Sequence, residues 1–260
     1  MTDPVLPLAG SPLGPDPDPG KGRANRLLTA LPDAEAAALR PDFETVTLAA
    51  GEVLYEPGWP LGHVWFPLRG VTSLLTTMPD GARAESVAIG PEGMVGLTLA
   101  LGVETATETA VVRMPSEAAR VPAEAFRRAI ERGPGLRRVL ARYTLALVGQ
   151  MAQTGACAWV HEVEPRFANR LLINQDAVHG AATFPLTHEM AAEMLGVHRP
   201  TVSAAAAKLQ RAGLIAYARG TVTVLDRPGL DAASCGCHRA VKARFDHLLN
   251  GADGGQPHPG

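Results

Sequence analysis

Cysteine is scarce in this 260-residue chain, with three, at Cys157, Cys235 and Cys237. Three thiols make no disulfide framework at this size, which agrees with a reducing compartment. No uninterrupted apolar stretch approaches the ~20 residues that a membrane span needs. The start lacks a basic segment followed by an apolar run, so no secretory signal is expected and the protein is expected to be cytoplasmic. A dominant charge of one sign is missing too: 24 Lys and Arg face 26 Asp and Glu, a net of −2, so the protein is not a polycation. Catalytic signatures are equally wanting. There is no Walker lysine, no Rossmann glycine triplet after a strand and no nucleophile elbow. "HEMAA" at 188–192 begins like a zinc-protease helix, but Ala192 stands where the second histidine belongs. The β-rich region holds one histidine, His63, where a metal-binding cupin enzyme would need several. No enzyme is expected.

What is present is core-forming sequence: 46% hydrophobic and 19% charged, the balance of a globular protein. Residues 1–24, with "PLAGSPLGPDPDPGKG", are the exception, since proline, glycine and aspartate bury too little to order themselves. They are expected to be disordered. From Pro185 to Phe245 there are eight Lys and Arg against four Asp and Glu, so this third is locally basic and suits an anionic partner.

After a short helical pattern, residues 43 to 122 read as β structure. Turn residues at Ala50-Gly51, Pro57-Gly58, Arg69-Gly70, Pro79-Asp80-Gly81 and Gly90-Pro91 separate runs such as "HVWFPL", "VTSLLTTM" and "ESVAIG". Their spacing of about ten residues is that of a sandwich or barrel. A long helical segment follows. Within it Leu136, Leu140, Tyr143, Leu147, Gln150, Thr154, Cys157 and His161 recur at alternating steps of four and three. The pattern fits a helix packed on its own domain, or the seam of a parallel homodimer with Gln150 fixing the register and Cys157 opposite its copy. The seam is the reading adopted, with residues 134–164 as the dimerisation helix.

Beyond Pro165 come a helix, a glycine-containing loop, and "LTHEMAAEMLGVHRPTVSAAAAKLQRAGLI". Thr187 can cap a first helix and is counted among the candidate DNA contacts. Ala191, Met194 and Leu195 face inward, Gly196 permits a sharp turn, and Val197 plugs the joint. Pro200 falls in the first turn of a second helix, where its missing N–H costs little. Val202, Ala205, Ala206 and Leu209 bury, and Gly213 closes the helix. "LIAYARGTVTVLD" then reads as a hairpin around Ala218-Arg219-Gly220. Helix, helix, helix, hairpin is the order of a winged helix-turn-helix. It leaves His198, Arg199, Thr201, Ser203 and Ala204 at the exposed start of the second helix, the end that enters a major groove. Arg199 can bond bidentately to guanine. The hydroxyls of Thr201 and Ser203 can reach phosphate or base edges, and Lys208 and Arg219 are candidate phosphate contacts. The small alanines let the helix approach closely.

This whole order resembles the Crp/Fnr superfamily of bacterial transcription regulators over roughly residues 25 to 230, most closely in "GVHRPTVSAAAAKLQRAGLI". The resemblance implies an α+β chain: a β-roll sensor of cyclic-nucleotide-binding type (25–133), a dimerisation helix (134–164), a winged helix-turn-helix (165–228) and a C-terminal tail (229–260). It places Arg199 at the family's main base-contacting arginine. Pro200 stands where many members carry a base-reading glutamate, and Ala204 where some carry a further arginine, so the family's best-known half-site is not expected. Cyclic-nucleotide-binding members hold ribose with a Gly-Glu-Leu element and the cyclic phosphate with an Arg-Ser pair. Here Gly96 is followed by Leu97, and Glu108-Thr109 stands near the phosphate position. Burying a phosphate opposite Glu108 with no cation is costly, so no response to cyclic AMP is expected and the effector is unassigned. Iron–sulfur members use N-terminal cysteines, which this chain lacks before Cys157. "SCGCH" offers soft-ligand chemistry, and Cys157 and His161 share a helix face, but a lone C-x-C-H falls short of a metal-site pattern and neither metal nor cofactor is assigned. The expected protein is a homodimeric regulator binding double-stranded DNA, with RNA polymerase a further partner and no membrane contact. The alternative is a thiol- or metal-based redox sensor with secondary DNA contact.

Overall fold

The computed structural model describes residues 24–250. The stretch expected to be disordered, 1–24, lies outside these except for its last residue. The chain opens with two short helices, α1 (Arg26–Thr29) and α2 (Asp33–Leu39). Seven strands follow: β1 (Glu44–Leu48), β2 (Val53–Tyr55), β3 (His63–Arg69), β4 (Thr72–Thr77), β5 (Arg83–Ile89), β6 (Thr109–Val112) and β7 (Ser116–Pro122). They form two antiparallel sheets, β1-β7-β3 and β2-β6-β4-β5, which face each other as a β-roll. The strand order is non-sequential, as in a sandwich whose strands cross between sheets. The expected runs at 63, 71 and 85 are β3, β4 and β5. Phe66 packs edge-on to Phe126 with ring centroids 6.1 Å apart in the roll's core.

The helical segment after the roll breaks at Gly133 into α3 (Ala123–Arg132) and α4 (Pro134–Val160). Pro134 suits the first turn of a helix, and the carboxylate of Glu35 on α2 accepts from the N–H groups of Gly135 (2.9 Å) and Leu136 (2.7 Å). An acidic side chain on orphan N–H groups at a helix start both satisfies them and complements the helix dipole.

The position of α4 corrects the seam. Leu136, Leu140, Tyr143, Leu147 and Gln150 are buried inside their own chain. The Tyr143 hydroxyl accepts from the Met94 N–H (3.1 Å) and donates to the Met94 carbonyl (3.0 Å). Gln150 donates to the Ala88 carbonyl at 2.8 Å rather than pairing with a second Gln150. Cys157 is buried beside Cys235, with Sγ atoms 3.6 Å apart, and His161 ends the helix near Cys237. Thr154 is half-buried. A stripe at heptad spacing can serve a domain core as well as a coiled coil, because both present the same helical face to an apolar neighbour. The free face of α4 is another one: Leu145 is 58% exposed, Val148 56% and Trp159 91%.

The last part of the chain comprises α5 (Val163–Ala177), β8 (Thr183–Pro185), α6 (His188–Leu195), α7 (Arg199–Arg211), β9 (Ile215–Ala218), β10 (Thr221–Val224), α8 (Arg227–Ala233) and α9 (Cys237–Asn250). The strands form a small antiparallel sheet in the order β8-β10-β9, so the expected hairpin gains a third strand from the loop before α6. The segment expected as a tail carries α8 and α9 within the described residues. α9 returns along α4, where Phe245 meets Tyr143 edge-on at 6.2 Å.

The helix-turn-helix part has a core of its own, including Phe167, Leu171, Leu172, Phe184, Val202, Leu209 and Val222. Val71, Ala88 and Met114 of the roll join it. Buried charge crosses the same boundary. Arg170 of α5 pairs with Glu85 of β5, and the two side chains are 8% and 2% exposed. Glu193 of α6 meets Arg113 at 2.7 Å and Arg83 at 2.9 Å.

Candidate nucleic-acid interface

The turn between α6 and α7 forms as its residues dictate. Thr187 is the N-cap of α6, its hydroxyl accepting from the Met190 N–H at 3.1 Å. Gly196 ends α6 with φ +63, a left-handed conformation that a side chain resists. Ala191, Met194 and Leu195 are buried. His198 is the N-cap of α7, Pro200 sits in its first turn, and Val202, Ala205, Ala206 and Leu209 point into the core. What remains outward on α7 is Arg199, Pro200, Thr201 and Ala204 near its start and Lys208, Gln210 and Arg211 toward its end. This face is flat near its start, with one guanidinium and one hydroxyl beside N–H groups that favour an anion.

Arg199 is paired with Glu189 of α6, the two side chains 63% and 64% exposed. An exposed pair is worth ~0–1 kcal/mol, so Glu189 holds Arg199 at the end of α7 but does not lock it. Lys208 lies further along and reaches Glu164 of α5 at 2.8 Å, a contact that raises its pKa through the hydrogen bond and the carboxylate charge. Ser203 is engaged inside the unit: its hydroxyl lies 2.8 Å from Nδ1 of His188 and also donates to the Arg199 carbonyl at 3.2 Å. Thr187, with its hydroxyl capping α6, is likewise committed.

Arg219 sits at the tip of the β9–β10 hairpin. Arg219 and Gly220 both have positive φ (+50 and +75), the geometry of the two-residue turn that matches strand twist. The arginine is exposed beyond the sheet, so the structure offers two separated cationic points, Arg199 on the helix and Arg219 on the wing.

His188 was missed by sequence reasoning. Its ring joins α6 to α7 through Ser203 and packs on Tyr217 of the wing with centroids 4.4 Å apart. Burial lowers the His188 pKa, with the charge of Arg199 adding to it. Burial, then Glu189, pushes the Tyr217 phenol up to about 12. The available clue was a histidine directly after a capping threonine.

The cassette residues of the roll lie around Tyr55. Gly96 has φ +92 and leads into a 3-10 turn at Leu97–Leu101, and Thr109 is buried at the start of β6. Tyr55, 3% exposed, packs against Trp65 with ring centroids 6.3 Å apart. Its phenol is held well above its usual value by burial and by the nearby Glu108 carboxylate, while hydrogen bonding to the backbone at Gly96 opposes this. An aromatic side chain thus stands between the two halves of the cassette. A separate cavity of about 360 Å³ lies where the roll, α4, α5 and α9 meet, with Gln150, Arg166, Asn169 and Phe245 in its walls.

Two family models match the chain: a cyclic nucleotide-binding domain over residues 45–133 and a Crp-like helix-turn-helix domain over residues 165–233. No curated protein sequence matches it. Among solved structures the chain is similar to FixK2 from Bradyrhizobium japonicum, at 17% identity and a TM-score of 0.63, covering 74% of this chain and 98% of that one. It is similar to a CRP/FNR-family transcriptional regulator from Thermus thermophilus, at 23% identity and a TM-score of 0.60, again covering 74% and 98%. A third is the c-di-GMP-responsive global regulator CLP of Xanthomonas campestris, at 15% identity and a TM-score of 0.57, covering 74% and 99%. At these identities the likeness fixes the fold. No helix among the described residues is long and apolar enough to cross a membrane.

Proposed function

The chain belongs to the Crp/Fnr family of transcription regulators, and on that premise we propose that it binds a two-fold symmetric DNA site as a homodimer and reads bases through Arg199. The observation that carries this is the outward face of α7: its start presents Arg199 and Thr201 beside the small Ala204, with Lys208 and Arg211 further along, while Val202, Ala205, Ala206 and Leu209 pack its other side. Arg199 would leave its exposed partner Glu189 for a guanine edge, where two parallel hydrogen bonds replace one weak ion pair. Arg219 would meet phosphate from the wing.

The dimer forms through the free face of α4. Ala141, Leu145, Val148, Ala152, Gly155 and Trp159 are exposed and follow one another at steps of four and three. A parallel two-fold copy sets each against itself, with Ala152 and Gly155 allowing close approach. The sensor does not respond to cyclic AMP, because Tyr55 fills the cassette and Leu97 and Glu108 supply neither the ribose carboxylate nor the phosphate cation.

Selection of bound sequences from a random DNA pool tests the reading. The expected result is two inverted half-sites about one helical turn (~34 Å) apart. Recovery of unenriched DNA overturns it.

A further inference from the structure

Three cysteines distant in sequence meet at one point in the fold. Cys157 lies in the last turn of α4, and His161 follows one turn later, its N–H donating to the Cys157 carbonyl at 3.0 Å. Cys235 and Cys237 flank Gly236 between α8 and α9. Gly236 has φ +70, a left-handed bend that brings the two thiols to the same side. The Cys235 N–H donates to the Pro165 carbonyl at 3.2 Å, fastening this turn to the start of α5. The four donor atoms all lie within 4.8 Å of one another.

Their spacing points to a single ion. With metal–sulfur bonds of ~2.3 Å, a tetrahedral site holds its sulfurs about 3.8 Å apart. Here Cys157 Sγ and Cys235 Sγ are 3.6 Å apart, and Cys237 Sγ and His161 Nδ1 are 3.7 Å apart. An iron–sulfur cluster spreads its cysteines wider, because its own iron and sulfide atoms stand between them. The supporting shell is also present. The Gln153 carboxamide donates to Cys237 Sγ at 3.2 Å, the kind of partner that orients a thiolate ligand. His238 is held elsewhere: its backbone N–H and ring Nδ1 lie 2.8 and 3.2 Å from Asn169 Oδ1. His161 is therefore the nitrogen donor. Cys157 and Cys237 are buried while His161 and Cys235 are half-buried, which leaves an entry path.

We propose that Cys157, His161, Cys235 and Cys237 bind one thiophilic divalent ion of the zinc class. Binding exchanges three thiol protons, released to solvent, for three metal–sulfur bonds and involves no change of oxidation state. The ion links the end of α4 to the α8–α9 turn, which the Cys235 N–H already fastens to the start of α5, and so fixes the junction at which α4 hands over to the helix-turn-helix unit. The site stands independently of any DNA sequence the protein reads.

Cobalt(II) titration of the full, thiol-reduced chain is the test. Saturation at one ion per chain is expected, with thiolate-to-cobalt charge-transfer absorption, the strong visible bands of tetrahedral cobalt, and displacement by zinc. Cys235→Ser and His161→Ala, each checked for an unchanged circular dichroism spectrum, are expected to weaken zinc binding by more than about 100-fold, and Gln153→Ala by about 10- to 100-fold. The half-buried position of Cys235 keeps the test usable if Cys237→Ser does not fold. The proposal is overturned by absence of thiolate charge transfer, by unchanged affinity in Cys235→Ser, or by an iron chromophore with acid-labile sulfide. It is equally overturned if the reduced chain takes no metal while a mild oxidant readily joins Cys157 to Cys235.

Discussion

Two leucines five residues apart on α4 are expected to separate folding from the proposed association. Leu140 is 4% exposed in the roll-facing core, and Leu145 is 58% exposed on the free face. Leu140→Ala removes a packed side chain and leaves a cavity, which costs ~2–5 kcal/mol of stability. Leu145→Ala alters a surface position within one chain and costs at most ~0.5 kcal/mol there. In the proposed dimer each of its two copies can lose only the burial of its exposed 58%, about 1–1.7 kcal/mol, ~2–3.5 kcal/mol for the pair. At 1.4 kcal/mol per tenfold, that weakens association by roughly one and a half to two and a half decades. Leu145→Asp should be monomeric outright, since it would bury two like charges against each other. Sedimentation equilibrium and denaturant unfolding, run together, read the two effects. Leu145→Asp that still sediments as a dimer refutes the free-face seam. So does Leu140→Ala that dissociates the dimer without shifting the unfolding midpoint.

The remaining predictions concern the DNA face, the domain boundary and the sensor. Arg199→Ala should lose ~1–3 kcal/mol on the selected site and little on random DNA, measured by competition binding; equal losses on both contradict base reading. Arg219→Ala should weaken binding to all sequences alike and lower the salt slope by about one; an unchanged slope removes Arg219 from the phosphate contacts. Glu85→Ala leaves the Arg170 guanidinium buried without its carboxylate and should cost ~3–5 kcal/mol in denaturant unfolding, and a change below ~1 kcal/mol would mean that water reaches the pair. Calorimetric titration with cyclic AMP should show no saturable heat at micromolar ligand, and saturation would mean that Tyr55 swings out of the cassette.

The recognition unit was legible because its constraints are local. A capping threonine, a turn glycine, a proline in the first helical turn and four inward positions at helical spacing leave few alternatives, and the structure realises each. The strands at 63, 71 and 85 were legible for the same reason, through turn residues at fixed intervals. The side of α4 that packs on the roll was not. Its sequence carries two apolar stripes, one through Leu136, Leu140, Tyr143 and Leu147 and another through Leu145, Val148 and Trp159. Periodicity reveals a stripe but not what covers it. The hydrogen bonds of Tyr143 to Met94 and of Gln150 to Ala88 depend on a sheet that packs from far away in sequence. The convergence of Cys157 with Cys235 and Cys237 was hidden likewise, since it requires α9 to fold back along α4, and nothing in "SCGCH" says where the next helix goes.

The charged boundary between the roll and the helix-turn-helix unit limits how freely these two parts can be exchanged. Arg170 and Glu193 on one side and Glu85, Arg113 and Arg83 on the other make a matched set. Joining this DNA-reading half to a foreign sensor would strand Arg170 and Glu193 opposite whatever side chains the new roll presents. A chimera is therefore expected to fold poorly unless acid and base are carried across together, or Glu85 and Arg170 are replaced as a pair by apolar residues of similar volume. Transplanted halves thus become a two-position problem, with the junction at the end of α4 as the natural splice and the ion pairs as its compatibility code.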